Sequence, residues 1–141
     1  MAEGILRDIS SRNNLDIKTK SAGIFAMHGS TAAENAIKVM KDKGIDISNH
    51  QSKTVNEKLI EESHLVLTMS IGHKNALILQ YPQHKEKILM LNEYAFGRNK
   101  DIEDPFGGSK RDYERARDEI IVAIEKIIER GWAKGGATAK I

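Results

Sequence analysis

The chain has 141 residues, one domain's worth, of which 40 % are hydrophobic and 30 % charged, with a formal net charge of +2. That length can bury a real core, the near-balance of charge argues for no nucleic-acid partner, and no apolar run approaches the roughly 20 residues that span a bilayer. There are no cysteines, which excludes disulfides, thiolate-ligated zinc or iron–sulfur centres and a cysteine nucleophile within these 141 residues.

The opening stretch, MAEGILRDIS, carries acids and has no apolar core of the kind a signal peptide needs, so a cytoplasmic location is the expectation. Residues 2–12 read as a short amphipathic helix that ends near Asn13-Asn14. In DIKTKSAG (16–23), Ile17 and Thr19 alternate with Lys18 and Lys20, which predicts a strand broken by Gly23. STAAE (30–34) has the spacing of a capping box, with Thr31 as the cap and Glu34 reaching back. Ala33, Ala36, Ile37 and Met40 then share one helical face, and Gly44 suits the helix end. Residues 45–55 form a polar connection, and 56–62 a short helix. HLVLTMS (64–70) is a continuous apolar run, as in a strand covered on both faces. Ser70 caps a helix over 71–80 that Tyr81-Pro82 closes. KILML (87–91) is a second buried strand, and residues 92–108 read as one long loop. Ser109 with Asp112 caps the last helix, whose Tyr113, Ala116, Ile120, Ile124, Ile127 and Ile128 repeat at helical spacing; its lysines and arginines read as a solvated face.

The order helix, strand, helix, helix, strand, helix, strand, helix implies a parallel sheet with helices on both faces. Such a unit normally begins with a strand, so the count starts one strand late. Residues 1–130 form a single domain, and the Gly/Ala/Lys-rich segment 131–141 is expected to fray.

DIEDPFGGS (101–109) is the stretch richest in chemistry. Asp101, Glu103 and Asp104 crowd three negative charges together, which tends to raise a carboxylate pKa and suits a general acid. Pro105 extends the backbone at Asp104, Phe106 can wall a substrate, and Gly107-Gly108 permits close approach before the capped helix. Taken alone, the same residues also read as a solvated acidic turn.

Asp104-Pro105-Phe106-Gly107-Gly108-Ser109 before the last helix resembles the low-molecular-weight protein-tyrosine phosphatase family, and most closely its bacterial protein-arginine phosphatase branch. The likeness extends over nearly the whole chain. Met1-Ala2-Glu3 is similar to the residues just after the family's phosphate loop, C-x-x-x-x-x-R-S-P. Ser21-Ala22-Gly23, Gly44-Ile45-Asp46, Ser48-Asn49-His50 and Leu67-Thr68-Met69 fall in the family's order and spacing. The resemblance implies a flavodoxin-like, three-layer parallel sheet whose first strand, interior between the second and third, is absent from this chain along with the phosphate loop. A late-assigned start codon or a truncation would account for that.

The resemblance also implies a mechanism. A cysteine thiolate attacks phosphorus, and an arginine and backbone N–H groups hold the phosphoryl oxygens. The aspartate before proline, here Asp104, protonates the leaving group and then activates water. Phe106 matches the aromatic beside the substrate. Phe25, with Met27 and His28, comes after the second strand where the family's cleft has a wall, a role weighed evenly against ordinary loop packing. The implied substrate is a phosphorylated protein or a small phosphate ester, phosphotyrosine or phosphoarginine, with no cofactor.

Without nucleophile or cradle, the chain as it stands is expected to be inactive. The alternative is a non-catalytic relative that binds an anion or a partner through the surviving cleft. Unpaired edges at 16–21 and 64–69 would invite self-association, pairing with each other or a partner strand, or nothing. The five histidines form no i, i+4 pair, so no metal site is expected; His50 reads as structural. Ser30, Ser52 and Ser70 lie in no nucleophile elbow.

Overall fold

The sheet is organised around a strand with no solvent face. All four residues of Leu65–Thr68 are buried, because Leu65 and Leu67 point into one helical layer and Val66 into the other. The computed structural model describes residues 1–24 and 29–131, together with the backbone of 138–140. In chain order the elements are α1 (Ala2–Arg12), β1 (Lys18–Lys20), α2 (Glu34–Lys41), α3 (Glu57–Glu62), β2 (Leu65–Thr68) and α4 (Ile71–Gln80). After a 3-10 turn at Pro82–Lys87 come β3 (Ile88–Met90), α5 (Leu91–Phe96), α6 (Lys110–Glu129) and β4 (Thr138–Lys140).

The sheet order is β1-β4-β2-β3, with every pair parallel. One layer is built from α1, α2, α5 and α6, whose Ile5, Leu6, Met40, Leu91, Ile120 and Ile124 pack with Leu65 and Leu67. The opposite layer sets Ile60 of α3 and Leu77 of α4 against Val66 and Ile88. This is the flavodoxin-like, three-layer arrangement expected from the sequence. No described helix is long and apolar enough to cross a membrane.

Local chemistry accounts for most element ends. Asn14 closes α1 in the left-handed conformation that asparagine tolerates (φ 53°), and Asn13 Nδ2 donates to the Ile9 carbonyl. Ser70 Oγ accepts the His73 N–H at the start of α4, and Asn56 caps α3 in the same way. Ser109 and Asp112 form the expected capping box. The Ser109 hydroxyl accepts the Asp112 N–H, and Asp112 Oδ2 accepts the Ser109 N–H at 2.9 Å. That backbone bond is the largest of the effects holding the Asp112 carboxyl below its ordinary value.

Four features differ from the sequence reading. The capping box at Thr31 and Glu34 does not form: α2 begins at Glu34 behind Ala33 with no side-chain cap, and Thr31 bridges Gln51 instead. The long loop is interrupted by α5, which Glu93 starts by accepting the Met90 N–H and Gly97 ends at φ +69°. Arg117 is not on the solvated face of α6. It is 6 % exposed, and its Nη1 donates to the Val39 carbonyl at 2.9 Å while its Nε pairs with Asp118. Finally, residues 138–140 of the segment expected to fray pair as β4 in the interior place, between β1 and β2. The remainder of that segment beyond Gly131 lies outside the described residues. At the far end of α6, Arg130 Nη1 donates to the Tyr94 and Ala95 carbonyls, clasping the end of α5.

Two of these interiors set expectations for stability. Ile124, 1 % exposed in the larger core, should cost about 2–5 kcal/mol when replaced by alanine, read as a loss of urea midpoint at constant slope. Lys74 Nζ donates to Glu93 at 2.8 Å and, as the leading cause, lowers its carboxyl below the ordinary 4.5. A depressed acid contributes stability that is present above its unfolded pKa and lost as pH falls through its folded one. Glu93→Gln should therefore lower stability at neutral pH and flatten its decline below about pH 4.5, measured by urea denaturation across the acid range.

Candidate active site at the ends of the strands

The acidic loop is fastened at three points before it reaches Asp104. Asp101 Oδ1 accepts the Ile71 N–H at 2.8 Å, so this carboxylate caps α4. The next residue, Ile102, donates its N–H to the Met69 carbonyl at 2.8 Å and buries its side chain. Asn92 Nδ2 holds the Lys100 carbonyl from the α5 side. The loop therefore tracks the C-terminal end of β2, and Asp104 emerges where the parallel strands end, the usual place for a site in an open α/β sheet.

At Asp104 the chain turns sharply. Its Oδ1 accepts the Phe106 N–H at 3.0 Å, and the Gly108 N–H donates to the Pro105 carbonyl at 2.7 Å. Gly107 has φ +79°, and a Cβ on Gly108 would stand 2.9 Å from the Pro105 carbonyl oxygen and 2.6 Å from Asp112 Oδ2. Both glycines are thus required, one by conformation and the other by space. Asp104 is exposed and free to meet a ligand. Its charge reaches Tyr113, whose hydroxyl is pushed above its ordinary value first by burial and then by Asp104.

A cavity of about 570 Å³ opens beside it, with Asp101, Glu103 and Asp104 at its polar end and Ser21, Leu67 and Ala116 among its walls. Met1, Ala2 and Glu3 of the first turn of α1 line the same space. A smaller cavity of about 370 Å³ lies on the other side of the loop, lined by Phe106, Arg115 and Glu119, and Asp104 borders both.

Asp104 and Phe106 stand at one turn, and Phe106 is 82 % exposed. Phe25, Met27 and His28 lie outside the described residues. The acidic trio does not act as one cluster, since Asp101 is engaged as a helix cap 30 residues away in sequence, a pairing that local spacing cannot reveal. Sequence reasoning also missed a polar link at the cavity. Glu3 Oε2 accepts the Ser21 hydroxyl at 2.8 Å and lies 3.1 Å from His50 Nδ1. It ties α1, the end of β1 and the 45–55 connection together. The signal was present, because Glu3, Ser21 and His50 each fall in a matched motif, but nothing in the sequence joins them. Among the described residues no group of acidic or histidine side chains is placed to hold a metal.

This fold and site have known counterparts. The chain belongs to the family described as low molecular weight phosphotyrosine protein phosphatase, whose model matches residues 1–134. It is 37 % identical over 130 residues to the protein-arginine-phosphatase of Bacillus subtilis, covering 92 % of this chain and 86 % of that protein. Among solved structures, it is similar to a YwlE arginine phosphatase variant with a phosphorylated active-site serine, with TM-score 0.89, 32 % identity and coverage of 92 % of this chain and 84 % of that one. The low molecular weight protein tyrosine phosphatase of T. tengcongensis matches with TM-score 0.87 and 38 % identity, over 92 % of this chain and 88 % of that chain.

The tight turn carries its own test. Gly108→Ala should cost about 1–3 kcal/mol by overpacking against backbone, and should release the Ser109–Asp112 box. The check is a lowered melting temperature together with faster amide exchange at Ser109 and Asp112, whereas Gly72→Ala, where the added carbon meets only Ser70 Oγ at 3.8 Å, should leave those amides unchanged.

Proposed function

We propose that these 141 residues carry the proton-transfer part of a phosphoprotein phosphatase site, with Asp104 as general acid and base. The observation that supports this most directly is that Asp104 and the first turn of α1 border one cavity at the strand ends. A helix start offers unpaired N–H groups and a partial positive charge to an anion, and the acid borders the same cavity. Phe106, beside Asp104, supplies an apolar surface for the group that leaves. The kinship to arginine and tyrosine phosphatases supports a phosphorylated protein or small phosphate ester as substrate, and the Phe-Gly-Gly after Asp-Pro favours phosphoarginine.

The chemistry then has two steps. A thiolate, which this chain does not contain, bonds to phosphorus as the P–N or P–O bond breaks, and the departing atom takes its proton from Asp104. The Asp104 carboxylate next takes a proton from water as that water attacks phosphorus, the S–P bond breaks and inorganic phosphate leaves. No serine of the site replaces the thiolate. The Ser21 hydroxyl is committed to Glu3, and Ser70 Oγ caps α4. By themselves the 141 residues thus bind rather than hydrolyse, which is the non-catalytic reading.

Both readings are tested by one assay. The chain alone should leave p-nitrophenyl phosphate and phosphoarginine at the buffer rate. Fused behind a strand and loop of pattern C-x-x-x-x-x-R-S, it should turn them over, and Asp104→Asn in that fusion should lower kcat by about 10²–10⁴. Turnover by the cysteine-free chain, or an Asp104→Asn fusion with full kcat, would overturn the assignment.

A further inference from the structure

The turn that carries Asp104 is closed mostly on itself. Following the backbone N–H groups after Pro105 shows where each goes. That of Phe106 is taken by Asp104 Oδ1, and that of Gly108 by the Pro105 carbonyl, so both stay inside the turn. That of Ser109 is taken by Asp112 Oδ2, within the cap of α6. These bonds give the turn its shape. They do not fix its attitude toward the body of the protein. The remaining amide, that of Gly107, is directed to the hydroxyl of Tyr113.

Tyr113 is well placed to hold it. The residue lies in the first turns of α6, is 6 % exposed, and packs in the larger core. A tyrosine ring has few rotamers, and once it is buried its hydroxyl is a fixed point that needs a polar partner. Here two groups of the acidic loop act on that hydroxyl, the Gly107 backbone and the Asp104 charge. Burial and Asp104 both favour its neutral form, so the contact adds no second negative charge beside the acid. Tyr113 borders neither cavity. It therefore acts through the turn and not on a ligand.

We propose that Tyr113 is a positioning residue for Asp104: its core-packed ring and its hydroxyl, holding the Gly107 amide, keep the turn 104–108 from swinging away from the strand ends. Ile102 secures the approach to the turn on the sheet side, and Tyr113 secures it on the α6 side. This rests on the reading of Asp104 as the general acid. A proton donor displaced by an ångström loses much of its effect, and the loss falls on substrates whose leaving group needs the proton.

The variant is Tyr113→Phe, which keeps the ring. In the 141-residue chain, NMR should show the Gly107 amide exchanging with solvent about fivefold faster, the worth of one hydrogen bond, with Phe106 and Gly108 unchanged. In the fusion carrying C-x-x-x-x-x-R-S, Tyr113→Phe should lower kcat for phenyl phosphate about tenfold, part of what a general acid supplies. KM should stay constant, and p-nitrophenyl phosphate, whose leaving group needs little help, should be turned over nearly as before. Added to Asp104→Asn, the same change should cost nothing further. Equal losses on both esters, or a further loss on top of Asp104→Asn, would overturn the positioning role. An unchanged Gly107 amide beside a slowed Asp104→Asn fusion would sink the role of Tyr113 alone, whereas full kcat in the Asp104→Asn fusion would sink the acid assignment and this role with it. Should Tyr113→Phe fail to fold, Asp104→Asn in the 141-residue chain decides: the Tyr113 ring should then titrate at lower pH by NMR, and an unmoved titration would refute the contact.

Discussion

A parallel strand buried on both faces needs a partner on each edge, and this requirement at β2 organises the molecule. Leu65–Thr68 are buried, and an unmade hydrogen bond in a buried strand costs about 1–3 kcal/mol. On one edge β3 meets the requirement along Val66, Leu67 and Thr68. On the other edge β4 meets it at Leu65 and Val66 only. Just past the strand, the Met69 carbonyl receives the Ile102 N–H from the acidic loop. The position of Asp104 is thus a by-product of satisfying the end of β2.

The same reasoning explains why the site is rigid on one side and open on the other. Asp101 and Ile102 bind the loop to the start of α4 and the end of β2, and the Ser109–Asp112 box binds its exit to α6. Between these anchors Glu103, Asp104, Pro105, Phe106 and the two glycines are left to present chemistry. Asp104 Oδ1 is steadied by the Phe106 N–H, and the side chain remains exposed. A proton-transfer group benefits from this arrangement, since its position is set by backbone bonds and its access is not obstructed.

What could be read from the sequence divides along the range of the interactions. Helices whose caps lie three residues from their partners were legible, as at Ser70 and Ser109, and so were β2 and β3, whose apolar runs declare burial. The Asp-Pro turn was legible because proline and glycine act locally. The capping reading at Thr31 failed because an antiparallel bridge to Gln51 claimed that residue, a contact 20 positions away. Arg117 was misplaced because its stem and guanidinium find the Val39 carbonyl across two helices. Asp101 and Glu3 gained their roles from partners remote in sequence. β4 was the least legible, since neither its composition nor its length resembles an interior strand. It is held by main-chain pairing to β1 and β2, which residue types alone do not reveal.

Arg130 has a consequence for that last element. By holding the Tyr94 and Ala95 carbonyls it pins the end of α6 to α5, so the tail departs from a fixed point. Seven residues, 131–137, separate it from β4, a reach of at most about 25 Å. Loss of that clasp would free the end of α6 from α5 and shift the point from which the chain leaves toward β4.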